Sequence, residues 1–338
     1  TDNHLWSETY DKDIDDIFSI QTSIAKEIAA SLKTQITESE KSVIEDKLTD
    51  NIEVYELYLK VMELRSSTMT SLFSKREIRM NLLNKIIDMD PEFAEAYAVL
   101  SIENGEMVHF GNDKGQSRID MAKENLDKAY KLKPYSPVVR FAYGYYYYGC
   151  FKDYYNALEH FKYALLKEPG KAEYNQYIGY VHRRLGNWDE MLHYFEKSLV
   201  LNPNDMSLRL NLIDTYIFLR QYNKVNFIDY DKRWYKISPD DPWLYSNRAV
   251  QTFTLEGKTD NARQIINEAS KLMPDHDYYK YPIMWFDEYD QKYDNALQYT
   301  QNSKDTIEYH QDQIVTKSGE LSRIYWLMDK KDQSKKEA

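Results

Sequence analysis

A single cysteine, Cys150, stands among 338 residues. An internal disulfide framework or a multi-cysteine zinc site needs more than one thiol, so neither is available to this chain. Glycine and proline are also scarce, at ten and nine, and no long stretch alternates apolar with polar residues, so helices should dominate. No run of 18 apolar residues occurs, and Thr1 opens a polar segment without a charged-then-apolar leader, so nothing reads as a membrane span or a signal peptide. Missing too is any basic stripe. With 44 Lys and Arg against 55 Asp and Glu, attraction to nucleic acid or to an anionic membrane lacks its usual electrostatic drive. Nucleic acid and direct membrane insertion are therefore set aside.

Signatures of catalysis are equally thin. The histidines, His4, His109, His160, His182, His193, His276 and His310, are scattered, and none joins Cys, Asp or Glu at zinc-ligand spacing. There is no glycine-rich phosphate loop and no nucleophile elbow. Acidic pairs such as Asp15-Asp16 and Asp240-Asp241 fall at helix starts, where capping accounts for them better than acid–base work. The expectation is a chain with no catalytic residue, no metal and no cofactor; an enzyme survives as a reading only if an unforeseen carboxylate pair meets in a groove.

What the chain does have is 31 tyrosines and a beat of prolines. Tyrosine carries a large apolar body with a polar tip, which suits ridges between helices that are half buried and half wet. Pro91, Pro134, Pro169, Pro203, Pro239 and Pro274 mark off blocks of 43, 35, 34, 36 and 35 residues. Such a period signals stacked supersecondary units. Five, eight and twelve residues before each proline, most blocks place a small residue, a large apolar one and another small one, as in Ala164, Phe161 and Ala157. That set shares one helix face and lets a neighbour approach closely. Gly144 and Gly179, ten residues after their prolines, fall inside the next helix, where glycine costs about 1 kcal/mol relative to alanine and so implies close helix crossing. Gly186-Asn187 and Gly257 suit helix C-caps, while Ser136-Pro137 and Asp241-Pro242 pair an N-cap residue with proline at the first helical position.

These residues resemble the tetratricopeptide repeat, most clearly in "YGYYYYGCFKDYYNALEHFKYALLKEP" and "YIGYVHRRLGNWDEMLHYFEKSLVLNP". The resemblance is strong over 92–205 and 242–276. It implies an all-α solenoid of about seven antiparallel helix pairs, A and B, over 52–304, coiled as a right-handed superhelix whose groove is lined mainly by A helices. The unit ending at Pro239 departs from the pattern, with Asp231 and Trp234 where an apolar and a small residue belong; two inserted residues would displace its second helix. The opening unit lacks the first small residue. Residues 305–330 read as a capping helix, with Ile314, Leu321, Ile324, Tyr325 and Met328 on one face, and 331–338 as a solvated, disordered tail. The loop "HFGNDKGQSR" is longer than its peers and reads as a tolerated insertion, with a functional loop as the alternative.

Residues 1–51 do not fit the repeat and carry 12 acidic residues against 5 lysines. Ile14, Ile17, Phe18, Ile24, Ile28 and Leu32 describe one amphipathic helix. The segment "HLWSETYDKDIDDIFSIQTSIAKEIAASL", followed by "TDNIEVYELYLK", resembles the junction before the C-terminal repeat array in bacterial multidomain signalling proteins of the cyclase, kinase or winged-helix type. That likeness implies a regulatory or sensory arm of a larger protein and an extracytoplasmic location; the plain alternative is an extension packed on the first repeat. An unpaired strand edge near Leu5-Trp6 would offer a homodimer contact.

Carrying the repeat family's ligand-facing positions onto this chain gives a candidate groove. It comprises Phe141, Tyr145 and Tyr148; Gln176, Tyr180, Arg183 and Arg184; Leu210, Asp214 and Phe218; Trp243, Ser246, Val250 and Phe253; and Tyr281, Trp285 and Glu288. Aromatic and Arg side chains are the usual hot spots, and an extended peptide fits such a channel. The competing reading is that aromatic residues at helical spacing serve the inter-repeat core, which is expected for about half of them. Adjacent arginines cannot both be buried cheaply, so at least one of Arg183 and Arg184 should reach solvent or an acidic partner. The family's two-carboxylate clamp needs Lys and Asn where this chain has Phe141, Tyr145, Gln176 and Tyr180, which argues against chaperone-tail binding. The expected partner is a protein or peptide; the alternative is a small molecule or glycan stacked on Trp243, Tyr281 and Trp285.

Overall fold

The computed structural model describes residues 23, 24, 26, 27, 48–65, 75–111, 113–225, 239, 241–274, 277–303, 306–310 and 313–338. Helices α1 (Ile52–Arg65), α2 (Arg76–Met89), α3 (Ala94–His109), α4 (Gln116–Leu132), α5 (Pro137–Tyr146), α6 (Tyr154–Lys167), α7 (Ala172–Arg184), α8 (Trp188–Leu201) and α9 (Met206–Phe218) follow one another. After them come α10 (Pro242–Glu256), α11 (Asp260–Leu272), α12 (Asp277–Tyr289) and α13 (Tyr293–Gln301). They form a tetratricopeptide-type α-solenoid. Six complete pairs lie among the described residues, and α9 begins a seventh whose second half, 226–238, lies outside them.

The small–large–small triplets are the seams. Ala122, Leu126 and Ala129 of α4, Ala157, Phe161 and Ala164 of α6, Met191, Phe195 and Ser198 of α8, and Ala262, Ile266 and Ala269 of α11 are all sealed from solvent. Phe161 and Phe195 fill the space left by the two helical glycines. A Cβ on Gly144 would lie 2.5 Å from the Phe161 ring, and one on Gly179 would collide with Phe195 in the same way. Tyrosines use both of their ends, as expected. Tyr174 and Tyr216 bury their rings and donate their hydroxyls to Glu168 (3.0 Å) and Glu196 (2.9 Å).

A second ruler, invisible in the sequence, sits at the A-helix ends from α5 onward; Gly111 after α3 is left-handed too, but 41 residues before Lys152. Lys152, Gly186, Arg220, Gly257, Gln291 and Asp329 all take the left-handed conformation, which reverses the chain into the B helix. Their intervals of 34, 34, 37, 34 and 38 residues keep the beat where prolines fail. Gly186 to Arg220 is regular, so the extra residues of the distorted unit follow Arg220, and two of them precede Pro239. Asp231 and Trp234 fall outside the described residues. The 35-residue block between Pro134 and Pro169 is explained directly: α5 ends in a π-helical turn, Tyr147–Phe151, which absorbs one added residue.

Only glycine takes positive φ without a Cβ penalty, and Arg220 stands in register with Gly186 at φ 58. Arg220→Gly is expected to stabilise the chain by about 1 kcal/mol, seen as a higher denaturant midpoint with unchanged slope.

The C-terminal end departs from expectation. A single capping helix was expected from about residue 310. Instead an antiparallel hairpin, β1 (Thr306–His310) with β2 (Gln313–Thr316), precedes helix α14 (Lys317–Leu327). Ile324 of α14 still covers the last pair by packing on Met284 and Ala296. The tail is not a disordered strand of polar chain either: α15 (Lys331–Glu337) folds against α14, where Ser322 Oγ donates to the Ser334 carbonyl at 2.8 Å. Small serines at the crossing let a charged segment dock without burying a charge. The readings made for residues 1–22, including the Leu5-Trp6 edge and most of its amphipathic helix, lie outside the described residues.

Candidate functional site

Helix α7 supplies the best-formed part of the A-helix face. Gln176 Nε2 donates to Tyr180 Oη at 3.0 Å, one helical turn on. The Arg183 guanidinium lies 5.0 Å over the Tyr180 ring and donates through Nη1 to Asn211 Oδ1 of α9 at 2.9 Å. Tyr180 itself is braced edge-on by Phe195 and Tyr177. Burial, with Asp205 nearby, keeps its hydroxyl protonated far above neutral pH. On α9, Asp214 is exposed and accepts from Gln251 Nε2 of α10 at 2.7 Å. Arg183 thus ties α7 to α9 and Gln251 ties α10 to α9, two separate links that set side chains of three successive A helices along one ribbon. Arg184 is exposed beside it, so the arginine pair divides as expected, one half-buried and one at the surface.

Asn211 and Gln251 were missed by sequence reasoning. Each follows directly after a residue assigned to the groove, Leu210 and Val250, and a helix register one residue later would have found them.

Six of the proposed contacts belong to the core instead. Tyr145 (1% exposed), Tyr148, Trp243 and Phe253 are buried. Tyr145 packs edge-on against Tyr177 at 5.4 Å, and Phe253 against Tyr289 and Trp285 at 4.7 and 5.2 Å. Their helices are flanked on both sides, so rings at those positions fill seams rather than face a ligand. Phe141 and Leu210 are buried as well. Phe218 goes the other way: it is 68% exposed and leans on Trp188 at the A–B turn, away from the ribbon. Tyr281 and Trp285 remain half-buried and stack on each other, with ring centroids 6.4 Å apart. With Trp243 buried and Tyr281 occupied by Trp285, the stacking platform imagined for a glycan is not assembled. Glu288 is taken by the C-terminal cap, where Arg323 clamps it and Glu320 at 2.5 to 2.7 Å.

A carboxylate pair does meet, at the other end of the array. Glu103 and Glu106 of α3 are sealed from solvent. Arg79 grips Glu103 through Nε and Nη2 at 2.7 and 2.8 Å, and Arg65 reaches Glu103 at 2.6 Å and Glu106 at 3.3 Å. Arg76 lies 3.5 Å from Glu106, and Arg65 also approaches Glu173 of α7 at 3.6 Å. Burial works to raise the Glu103 pKa, but Arg65 and Arg79 outweigh it and hold the carboxyl below its usual range. For Glu106 burial prevails over Arg65, and its pKa is raised. The carboxylates are saturated by guanidinium donors and closed to any substrate, so the pair is an ion network that fastens α1 and α2 to α3. Arg79 occupies the very position where α4, α6 and α11 carry alanine.

Among the described residues, no group of three His, Cys, Asp or Glu is placed to hold a metal, and no helix is long and apolar enough to cross a membrane. Cys150 lies in the π-helical turn, half-buried, with its thiol pushed up to about 11 by burial.

No family model matches the chain. Over 104 residues, 30% of its length, it is 30% identical to putative adenylate cyclase 3 of Rhizobium meliloti (strain 1021). The match takes in only 17% of that protein. Among solved structures, the chain is similar to Pseudomonas aeruginosa pilF, at 20% identity and a TM-score of 0.44, over 68% of this chain and 97% of that one. It is also similar to PilW, a type IV pilus biogenesis factor, at 16% identity and a TM-score of 0.48, over 68% and 98%. A tetratricopeptide repeat protein from Parabacteroides merdae ATCC 43184 is similar at 14% identity and 0.46, over 74% and 92%.

Proposed function

We propose that the chain is a non-catalytic scaffold whose A-helix face binds an extended peptide segment of a protein partner, with the ribbon from Gln176 through Arg183 to Asp214 as its contact surface. The observation that carries this reading is the pre-arrangement of that ribbon. Tyr180, Arg183 and Asn211 already hold one another in place, and Gln251 holds Asp214, so a ligand would meet ordered donors and an aromatic ring without first ordering long side chains. Arg and Tyr are the residues that most often carry binding energy at interfaces. We further propose that the array serves as the regulatory arm of a larger bacterial signalling protein. The junction-like N-terminal sequence supports this context, as does the 30% identity over 104 residues to a putative adenylate cyclase.

Selection of ligands for the full chain from a displayed peptide library tests the reading. Tyr180→Ala and Arg184→Glu should each weaken the selected peptide by about tenfold or more, the range of an interface hot spot, with thermal unfolding of Arg184→Glu unchanged. Failure to select any peptide, or a ligand indifferent to both substitutions, would remove the groove from consideration.

A further inference from the structure

Helix α5 carries a second arginine whose situation is unlike that of Arg183. Arg140 lies on the side of α5 that faces the two flanking B helices, between Tyr130 of α4 and Tyr163 of α6. Its guanidinium sits 5.5 Å from the centre of one ring and 4.8 Å from the other. Among the described residues it makes no ion pair and no side-chain hydrogen bond, and its Nε is sealed from solvent without a partner. Arg65, Arg76, Arg79, Arg183 and Arg323 are each met by a carboxylate or an amide, and Arg140 by neither. A second cation stands at the same ring: Lys167 Nζ is 5.9 Å from the Tyr163 centre, again without an acidic partner among the described residues.

Aromatic rings from α4, α5 and α6 surround these cations. Tyr143 and Tyr147, on the same helix as Arg140, stack nearly parallel to His160 of α6 at 5.2 and 5.7 Å. Tyr130 closes edge-on against Tyr143 at 5.4 Å. Tyr130 is exposed, and Arg140, Tyr143, Tyr147, His160 and Tyr163 are half-buried, so the cluster is reached by solvent. The equivalent position of α7 is Asn175, buried and bonded to the Lys171 carbonyl, and that of α9 is Arg209, which donates through Nη2 to the Pro203 carbonyl at 3.0 Å; Arg140 has no such bond. A half-buried guanidinium costs free energy unless its donors are used. Two tyrosine faces offset part of that cost but occupy none of its five N–H groups. What fits those donors is a planar anion taken end-on.

We propose that this cationic, aromatic surface of α5, between α4 and α6, is a second binding site, separate from the A-helix ribbon, that takes an acidic stretch of a protein partner. One Asp or Glu carboxylate docks on Arg140, a neighbouring acidic residue meets Lys167, and the intervening chain lies across Tyr130, Tyr143 and Tyr147. Asp127, which accepts from Tyr143 Oη at 3.3 Å, is already paired with Lys123, so the two unmatched cations at the Tyr163 ring favour acidic sequence, and the aromatic faces favour a peptide over a small inorganic anion.

Fluorescence anisotropy of a labelled hexaglutamate peptide with the full chain at low salt reads this site. Wild type should bind. Arg140→Met keeps the aliphatic stem between the tyrosines, and should weaken binding about tenfold or more with the melting curve unchanged; Arg140→Lys should recover only part of it, because the fork is lost. Arg184→Glu, beside the ribbon, should leave this binding within about twofold, apart from a general salt-sensitive effect. No binding by wild type, equal binding by Arg140→Met, or equal competition by inorganic phosphate at the same charge concentration would each overturn the proposal. Loss of binding with Arg184→Glu but not with Arg140→Met would return the acidic ligand to the A-helix ribbon.

Discussion

Glu103→Ala is expected to destabilise the chain by about 3–5 kcal/mol, because it strips the carboxylate from a buried guanidinium and leaves nothing in its place. Arg79 is fully buried and spends two donors on Glu103; Arg65 loses its shortest contact at the same time. Equilibrium denaturation should show a lower midpoint, and hydrogen exchange should place the loss in α1 and α2, which are fastened through this network. Arg79→Met with Glu103→Leu should recover most of the loss. That pair removes both members, and leaves Arg65 and Arg76 facing Glu106 and Glu173. A cost below about 1 kcal/mol for Glu103→Ala, the size of a surface pair, would mean that water reaches Arg79.

The same network sets the sign of its pH response. Glu103 has a depressed pKa, so its share of stability is fully present above the ordinary value of 4.5 and is lost as pH falls through the lower, folded-state value. Glu106 is raised by burial, so its share is greatest below 4.5 and declines as pH climbs through its folded-state value. In wild type the two partly offset each other. Glu106→Gln should remove the second component, so that the network's own share of stability only rises with pH across the acid range, while Asp205 and Glu288, also raised by burial, keep their opposite contribution.

The seams of the array were legible because one side chain's size decides them. Ala157, Phe161 and Ala164 recur with a fixed spacing, and Gly144 and Gly179 announce close approach by being costly anywhere else. Arg79 was visible only as a residue out of pattern: its meaning depends on Glu103, 24 positions away on another helix, and periodicity within one helix contains no such information. The extra residue of the 35-residue block was likewise counted in the sequence, but only backbone geometry shows that a π-helical turn absorbs it. The candidate contacts failed or held for a related reason. Tyr145 and Tyr180 are the same residue type at equivalent positions of successive A helices, yet one is sealed against Tyr177 and the other offers its ring to Arg183. What separates them is the packing of neighbouring helices, which repeat register alone does not specify. At the C-terminus the apolar face of α14 was read correctly at Leu321 and Ile324, whereas residues before Lys317 were drawn into the same helix although Ile307, Tyr309 and Ile314, Thr316 allow period-two pairing.

Gly179→Ala should cost about 3 kcal/mol, at the upper end of what overpacking a core usually costs. The added methyl would fall inside the Phe195 ring, and the ring has nowhere to retreat, because Tyr180 holds it edge-on at 5.2 Å and the Met191 carbonyl lies 3.5 Å from the same Cβ position. Helices α7 and α8 would have to separate along the seam that also orients Tyr180, so the substitution reaches the ribbon without touching a ligand. Its signature is therefore double: a lower denaturation midpoint and weaker binding of any peptide held by Tyr180. Phe195→Leu in the same chain should restore part of the stability, since a smaller, flexible side chain can make room for the methyl. If Gly179→Ala costs less than about 1 kcal/mol, as glycine-to-alanine does in an open helix where propensity favours alanine, then close crossing is not what holds α7 against α8.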